Sequence, residues 1–371
     1  MEKSILYDRY ARQIILKGFG VAAQSKLSSA HIIVIGAGGL GCPVLQYLVS
    51  AGIGKITIVD DDKVALHNIH RQVLYDESNI GELKVEVAKR KLILLNSEVE
   101  VIAISKRLNQ QLAVELFPTA SIIVDATDNF ATRYLINDGC VLIKKPLVFG
   151  AVSMYEGQVA VFNSKTTAEV YSVNYRDLFP VPPSEDSVLN CAEAGVLGPL
   201  PGMIGAMQAM EVIKLVTGIG KPLINKLLTY DALSQQQFTI ELSPASNNQG
   251  PKNLEEYFSF DYVQACSSKE IPEMDFSDVK HLGTGFQIVD VRELHEEPRL
   301  NNLISNAYLE IPLSTLEIES EKLKEKDVLF ICQTGKRSKK AVEWLLQIGH
   351  QRKAYSLRNG VFGIKNSQDE R

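Results

Sequence analysis

The sequence predicts an α/β protein: a doubly wound, mostly parallel sheet followed by a smaller α/β domain. Three observations predict it. A short β-branched run leads into the glycine-rich turn GAGGLG at Gly36–Gly41. Apolar runs then alternate with segments of helical spacing through Thr127. A polar stretch, SPASNNQGPKN at 243–253, shifts the composition ahead of a second strand–helix pattern. Strands alternating with helices lie parallel, and ligands of such sheets gather at the strands' carboxyl ends.

HIIVIGAG (His31–Gly38) reads as a buried parallel strand, Pro43–Ala51 as a helix and Lys55–Asp60 as the second strand. Lys84–Asn96 has helical spacing and is followed by the strand-like VEVIAI; Ser121–Thr127 is another buried strand ending in polar residues. Pro199–Val216 is an apolar, Met- and Ala-rich helix, expected against the sheet or a second subunit. Residues 227–242 alternate as antiparallel strands. The polar stretch at 243–253 is expected to be flexible, with a domain boundary near residue 268. The domains are then 1–268 and 269–371. The second contains FQIVDVRE (Phe286–Glu293), DVLFICQTGKRS (Asp327–Ser338), the helix KKAVEWLLQIG and KAYSLRNG. No internal repeat is present.

The 371 residues suffice for two cores. With 45% hydrophobic and 22% charged residues and a net charge of -5, the chain reads as globular and lacks a basic nucleic-acid signature. No uninterrupted apolar run reaches about 18 residues, so no membrane helix is expected. MEKSILYDRYARQ has no apolar signal-peptide core. Five widely spaced cysteines point to a reducing cytoplasm rather than a disulfide framework.

In GAGGLG, Gly36, Gly38 and Gly41 suit a tight turn, close approach to phosphate and close helix packing, with Gly39 beside them; the helix start after the turn attracts anions. Asp60, ending the second strand, is placed to accept hydrogen bonds from ribose hydroxyls. The residues beyond Asp60 are unusual for a dinucleotide site: Asp62, Asn68, Arg71 and Gln72 fall within a dozen positions. Arg71 suits a phosphate fork, and Lys84 could meet phosphate as a point charge. Thr127-Asp128-Asn129 closes the third strand, where an acid can hold Mg²⁺ against a triphosphate. Structural readings compete at each position: a steric glycine turn, a surface salt bridge for Arg71, a solvated lysine, a helix cap at Asp128.

RYARQIILKGFG, GAGGLG, DDDKVALHNIHRQ, GELK, DATDN and NCAEAGVLGPLPG, in that order, resemble the MoeB/ThiF family. These are adenylyltransferases with a Rossmann-like sheet, related to ubiquitin-activating enzymes. The resemblance covers residues 1 to about 268. It implies ATP and Mg²⁺, with Gly38 lining the nucleotide site, Asp60 on the ribose, Asn68, Arg71 and Lys84 on the phosphates and Asp128 on Mg²⁺. Gln72 and Asn129 accompany them. It also implies a homodimer in which Arg12 reaches the neighbouring active site, and a ThiS- or MoaD-like, ubiquitin-like sulfur carrier as partner. Cys191, in NCAEAGVLGPL, matches a cysteine that relatives link covalently to the carrier.

The pattern is broken at one place. Relatives carry two CxxC pairs holding structural zinc, whereas here EVYSVNYRDLF (Glu169–Phe179) and SPASNNQGPKN stand instead. No zinc site is expected, and Tyr171, Tyr175 and Phe179 are expected to supply packing there.

Cys332 opens CQTGKRS after the apolar DVLFI. Such a loop can curl its amides around sulfur, and Lys336 and Arg337 add positive field; both favour a thiolate or persulfide. IVDVRE, CQTGKRS, the helix after it and LRNGVFGI resemble a rhodanese domain over about 275–371. The resemblance implies Cys332 as persulfide carrier, Asp290 and Arg292 as a structural pair, and a cysteine desulfurase or small donor as sulfur source. The family's late Gly-Gly appears as Asn359-Gly360, which questions the C-terminal turn. Cys42 and Cys140 read as packed small residues, and Cys266 has no role. The combined reading is adenylation of a carrier's C-terminal glycine followed by sulfur transfer, in thiamine or molybdopterin cofactor synthesis. The rivals are a non-catalytic binding partner for ubiquitin-like proteins and an NAD-dependent oxidoreductase.

Overall fold

The computed structural model describes residues 2–166, 170–182, 195–245, 250–266, 271–279, 285–304, 306–323, 326–348 and 353–369. They fall into two compact units, one reaching Cys266 and one after it. The first contains α1 (Glu2–Ile14), α2 (Gly20–Ser29), β1 (His31–Ile35), α3 (Gly41–Ala51), β2 (Lys55–Val59), α4 (Lys84–Leu95), β3 (Glu100–Ile104), α5 (Gln110–Leu116), β4 (Ile122–Asp125) and α6 (Phe130–Ile143). It continues with β5 (Leu147–Ser153), β6 (Glu156–Phe162), α7 (Tyr175–Leu178), α8 (Pro199–Thr217), β7 (Lys226–Asp231), β8 (Gln236–Glu241), α9 (Leu254–Ser259) and α10 (Tyr262–Cys266).

The sheet order is β3-β2-β1-β4-β5-β6-β7-β8, parallel through β5 and antiparallel beyond. β1 is covered on both faces, which is why its sequence is apolar without alternation. Ile32 and Val34 join one core with Leu45, Leu48 and Val49 of α3. Ile33 and Ile35 join the other with Tyr134 and Ile136 of α6. Each fully buried aliphatic side chain contributes about 1.5–3 kcal/mol. From β1 the chain runs outward to β2 and β3, then crosses back to β4. The carboxyl ends of β1, β2 and β4 therefore meet at a topological switch point.

α8 packs against α3 and the β5–β6 hairpin, so its apolar surface is used on the sheet side. Gly205 permits this, since a Cβ there would stand 2.4 Å from Leu40 O. At the departure from the CxxC pattern, Tyr175 of α7 contacts the rings of Tyr134, Phe149, Phe162 and Phe179. Tyr171 differs from expectation: it is half-buried and pairs through its backbone with Lys165. A polar clamp stands beside the rings. Arg176 forks onto Asp138 through Nε and Nη2, both at 2.8 Å, and Tyr262 O–H donates to the same carboxylate at 2.8 Å.

The second unit contains β9 (Glu273–Met274), α11 (Phe276–Val279), β10 (Phe286–Asp290), β11 (Tyr308–Glu310), β12 (Asp327–Ile331), α12 (Lys336–Gln347), β13 (Ala354–Leu357) and α13 (Gly360–Asp369). Its five strands are all parallel, in the order β11-β10-β12-β13-β9. Val289 and Phe330 share a core with Ala341, Val342 and Leu345 of α12, while Leu329 and Ile331 face Val361 and Ile364 of α13. No described helix is long and apolar enough to cross a membrane.

Candidate active sites

The turns leaving β1, β2 and β4 carry the residues singled out from sequence. Gly36 leaves β1 with φ 97°, and a Cβ there would stand 2.6 Å from Ala126 O. A Cβ on Gly41 would stand 2.1 Å from Gly36 O, so the turn closes onto α3 only with glycine at both positions. Gly38 faces the Gln72 amide, and Gly39 faces Pro201 of α8.

Asp60 ties this turn to β2. Its Oδ2 accepts from the Ala37 N–H at 2.7 Å and its Oδ1 from the Asp62 N–H at 2.8 Å. Burial pushes the Asp60 carboxyl up, against the opposing pull of Lys84 and these amides. Asn68, Arg71 and Gln72 come together on one irregular turn, as their spacing suggests. Arg71 Nη2 donates to Asn68 Oδ1 at 3.1 Å and Nη1 to His67 O at 2.9 Å. Gln72 is buried, and its Oε1 has no hydrogen-bond partner among the described residues. An open buried acceptor beside Gly38 fits a polar ligand.

Lys84 is not a solvated helix lysine: it is 4% exposed. Its Nζ donates to Asp62 Oδ2 at 2.8 Å, and its backbone N–H donates to Asp62 O at 3.0 Å. The helix-cap alternative for Asp128 belongs to its neighbour. Asn129 Oδ1 accepts from the Thr132 N–H at 2.9 Å and caps α6, while Asp128 is exposed. Asp125, unremarked in the sequence, holds the loop from beneath. Its Oδ1 accepts from the Thr127 N–H at 2.9 Å and hydroxyl at 2.6 Å, and burial pushes its carboxyl up. Asp60, Asp61 and Asp62 could bring carboxylate oxygens within 4.8 Å of one another. Asp60 accepts from two amides and Asp62 from Lys84, while Asp61 and Asp128 are exposed. Arg12 is exposed on α1, and Cys191 lies outside the described residues.

In the second unit Cys332 follows β12 and is buried. Its Sγ accepts from the Gly335 N–H at 3.1 Å and lies 3.4 Å from Ser338 Oγ. Gly335, at φ 94°, reverses the chain so that α12 starts at Lys336, inside CQTGKRS and earlier than its spacing suggests. One expectation needs correction. Arg337 is not a free cation for the sulfur: its two terminal nitrogens fork onto Glu296 at 2.5 and 2.7 Å. Those hydrogen bonds hold the Glu296 carboxyl down to about 2. Lys336 is exposed. Asp290 and Arg292 form the expected pair, fully buried at 2.7 Å, and Arg292 Nη1 reaches Gln333 Oε1 at 3.2 Å.

The turn at Asn359-Gly360, where the rhodanese resemblance departs, is left-handed at both positions. Asn359 and Gly360 have φ 59° and 53°, and asparagine tolerates that left-handed backbone. A Cβ on Gly360 would stand 2.1 Å from Cys332 O, which instead accepts the Val361 N–H at 2.9 Å. The turn thus lies directly under the sulfur loop.

A phosphate-type switch point and a nested cysteine in one chain define a two-module enzyme, an adenylyltransferase and sulfurtransferase. Residues 10–252 match the ThiF family and residues 278–367 the rhodanese-like domain. The chain belongs to the ThiF family and carries a rhodanese-like domain after the ThiF region. It is 49% identical over 239 residues to a Thermus thermophilus protein named sulfur carrier protein adenylyltransferase, covering 64% of this chain and 88% of the relative. It is 37% identical over 362 residues to the probable adenylyltransferase/sulfurtransferase MoeZ of Mycobacterium tuberculosis, covering 95% and 91%. The Zea mays adenylyltransferase and sulfurtransferase MOCS3-1 is 37% identical over 370 residues, covering 92% and 78%. The crystal structure of Escherichia coli MccB with ATP has the same fold, with a TM-score of 0.57 at 24% identity over 65% of this chain and 74% of that one.

Proposed function

We propose that the ThiF unit adenylates the C-terminal glycine of a ubiquitin-like sulfur carrier and that Cys332 then supplies the sulfur. The carrier carboxylate, already ionised at neutral pH, attacks the α-phosphorus of ATP. An acyl-phosphate bond forms and pyrophosphate leaves. Asp60 would receive the ribose, and Gln72 with Gly38 would line the nucleotide. Asn68, Arg71 and Lys84 would meet the phosphates, where fixed cations stabilise accumulating charge. Mg²⁺, held by Asp128, would neutralise phosphate oxygens. The observation that carries this reading is the set of polar groups at the three strand ends, above all buried Lys84 and exposed Asp128 beside GAGGLG.

In the second step the terminal sulfur of a Cys332 persulfide attacks the acyl carbon and AMP leaves. A thiol then cleaves the resulting acyl disulfide at the Cys332 sulfur, releasing the carrier thiocarboxylate and leaving a disulfide for cellular thiols to reduce. Cys191 is our candidate for that thiol, and a cysteine desulfurase for the donor that loads Cys332. Exposed Arg12 suits a second copy's active site in a homodimer. The ring cluster at Tyr175 and the Arg176–Asp138 pair would hold the region where relatives place zinc. Cys42, Cys140 and Cys332 are free thiols, which fits a reducing cytoplasm.

Carrier-dependent ATP–pyrophosphate exchange tests the nucleotide half. Asp128→Ala should lower it about 100-fold, the scale of losing one charge-stabilising group. Unchanged exchange would remove Asp128 from the site.

A further inference from the structure

Behind the Cys332 sulfur stand two buried hydroxyls that the proposed reaction does not use. Ser338 and Ser356 are both 0% exposed. Ser338 Oγ lies 3.4 Å from Cys332 Sγ, 2.9 Å from Gly335 O and 2.8 Å from Ser356 Oγ. A hydroxyl has one proton to donate and two lone pairs to accept with. Ser338 therefore has more acceptors around it than it can serve at once.

We propose that Ser338 and Ser356 form a two-hydroxyl relay that hands a hydrogen bond to the Cys332 sulfur whenever it is a thiolate. The inference rests on Cys332 being the sulfur-carrying thiol. When Cys332 is a thiol, its S–H donates to Ser338 Oγ, and the Ser338 proton goes to Gly335 O at 2.9 Å. When the thiol proton leaves to solvent, the Ser338 hydroxyl turns to the sulfur. Gly335 O is not orphaned by that turn, because it also accepts the Lys339 N–H of α12 at 3.1 Å. Ser356 Oγ lies 2.8 Å from Ser338 Oγ and 3.4 Å from Gly335 O; in the relay its proton goes to the nearer Ser338 Oγ in both arrangements, and a donor behind a donor strengthens the front hydrogen bond. Only one proton rotates, and no buried polar atom loses its last partner.

The surroundings leave this role open. Arg337 of α12 feels the charge of Cys332, and Arg292 Nη1 lies 3.2 Å from Oε1 of the neighbouring Gln333. Arg337 is forked onto Glu296 and Arg292 onto Asp290, so neither arginine is spare for a charged sulfur. Besides the Gly335 amide, Ser338 is the described hydroxyl in hydrogen-bonding distance of Sγ. Ser338 and Ser356 are positioning residues. They hold the attacking group's charge and do not touch the carrier.

The test measures the thiolate absorbance of the full chain in the far ultraviolet at neutral pH, taken as the difference from Cys332→Ala. Ser338→Ala should lower the thiolate-to-thiol ratio about tenfold to a hundredfold, the scale of one hydrogen bond to a charged group. Ser338→Thr should restore it. Ser356→Ala should lower it about twofold, and the double alanine variant should match Ser338→Ala alone, since Ser356 acts only through Ser338. An unchanged ratio in a folded Ser338→Ala chain would overturn the relay. So would effects of the two serines that simply add. If Ser338→Ala does not fold, Ser356→Ala decides: a lowered ratio supports the relay and an unchanged one overturns it. Persulfide mass mapping on the wild-type chain tests the underlying reading separately, because failure of Cys332 to take sulfur leaves the absorbance comparison intact.

Discussion

The switch-point pocket and the Cys332 loop both have to hold negative charge, and they are built from different parts. In the proposed nucleotide site the work would fall to side chains from several elements: Lys84 from α4 and Arg71 and Asn68 from the turn after β2, with Asp128 at the end of β4 acting through Mg²⁺. At Cys332 it falls to one turn, through the Gly335 amide and the Ser338 hydroxyl, while the nearby arginines are tied to Glu296 and Asp290. The contrast suits the two anions. A triphosphate spreads several charges over a nucleotide's length and needs several cations placed along it. A thiolate is one atom, best held by short dipoles that cost nothing to bring up.

The sharpest way to break this comparison is at the turn under the sulfur. Gly360→Ala adds a Cβ that would stand 2.1 Å from Cys332 O, on backbone with φ 53°. The loop must shift, at a cost of about 1–3 kcal/mol to the second unit. Sulfur transfer should fall at least tenfold while pyrophosphate exchange stays at the wild-type rate. Equal loss in both assays would show that the two sites do not work as separate constructions.

A smaller effect sharpens the claim that Arg337 is spent on Glu296. With its folded value near 2 instead of 4.5, Glu296 contributes stability fully present above pH 4.5 and lost as pH falls through 2. The pair is partly exposed, so the contribution is about 1 kcal/mol or less. Glu296→Gln should therefore melt slightly below wild type at neutral pH, with the gap closing as pH falls toward 2. A gap that persists at low pH would mean the glutamate stabilises by packing, not by charge.

The same contrast explains what the sequence made legible. Gly36, Asp60, Asn68, Arg71 and Gln72 sit in one contiguous stretch running from the turn after β1 through α3 and β2 to the turn after it, where spacing alone brings them together. Cys332 and its nest fall within four residues. The partners that complete each site come from elsewhere. Asp62 meets Lys84 across 22 positions, Glu296 meets Arg337 across 41, and Ser338 meets Ser356 across 18. No local pattern reports those pairings, because parallel strands joined by helices bring distant segments side by side. Lys84 could be suspected from GELK but its burial could not. The fold itself was legible because buried parallel strands are apolar without interruption. The start of α12 escapes that pattern because a left-handed Gly335 begins a helix inside a loop motif. The clamp of Arg176 and Asp138, 38 positions apart, is hidden for the same reason as the site pairs.

Two separable chemistries in one chain are the central claim, and removing the sulfur atom tests it most directly. Cys332→Ala, incubated with ATP, a ubiquitin-like carrier and a desulfurase with its cysteine, should accumulate carrier adenylate and form no thiocarboxylate when the carrier is weighed by mass spectrometry. Normal thiocarboxylate formation by that variant, or loss of the adenylate along with it, would contradict the claim.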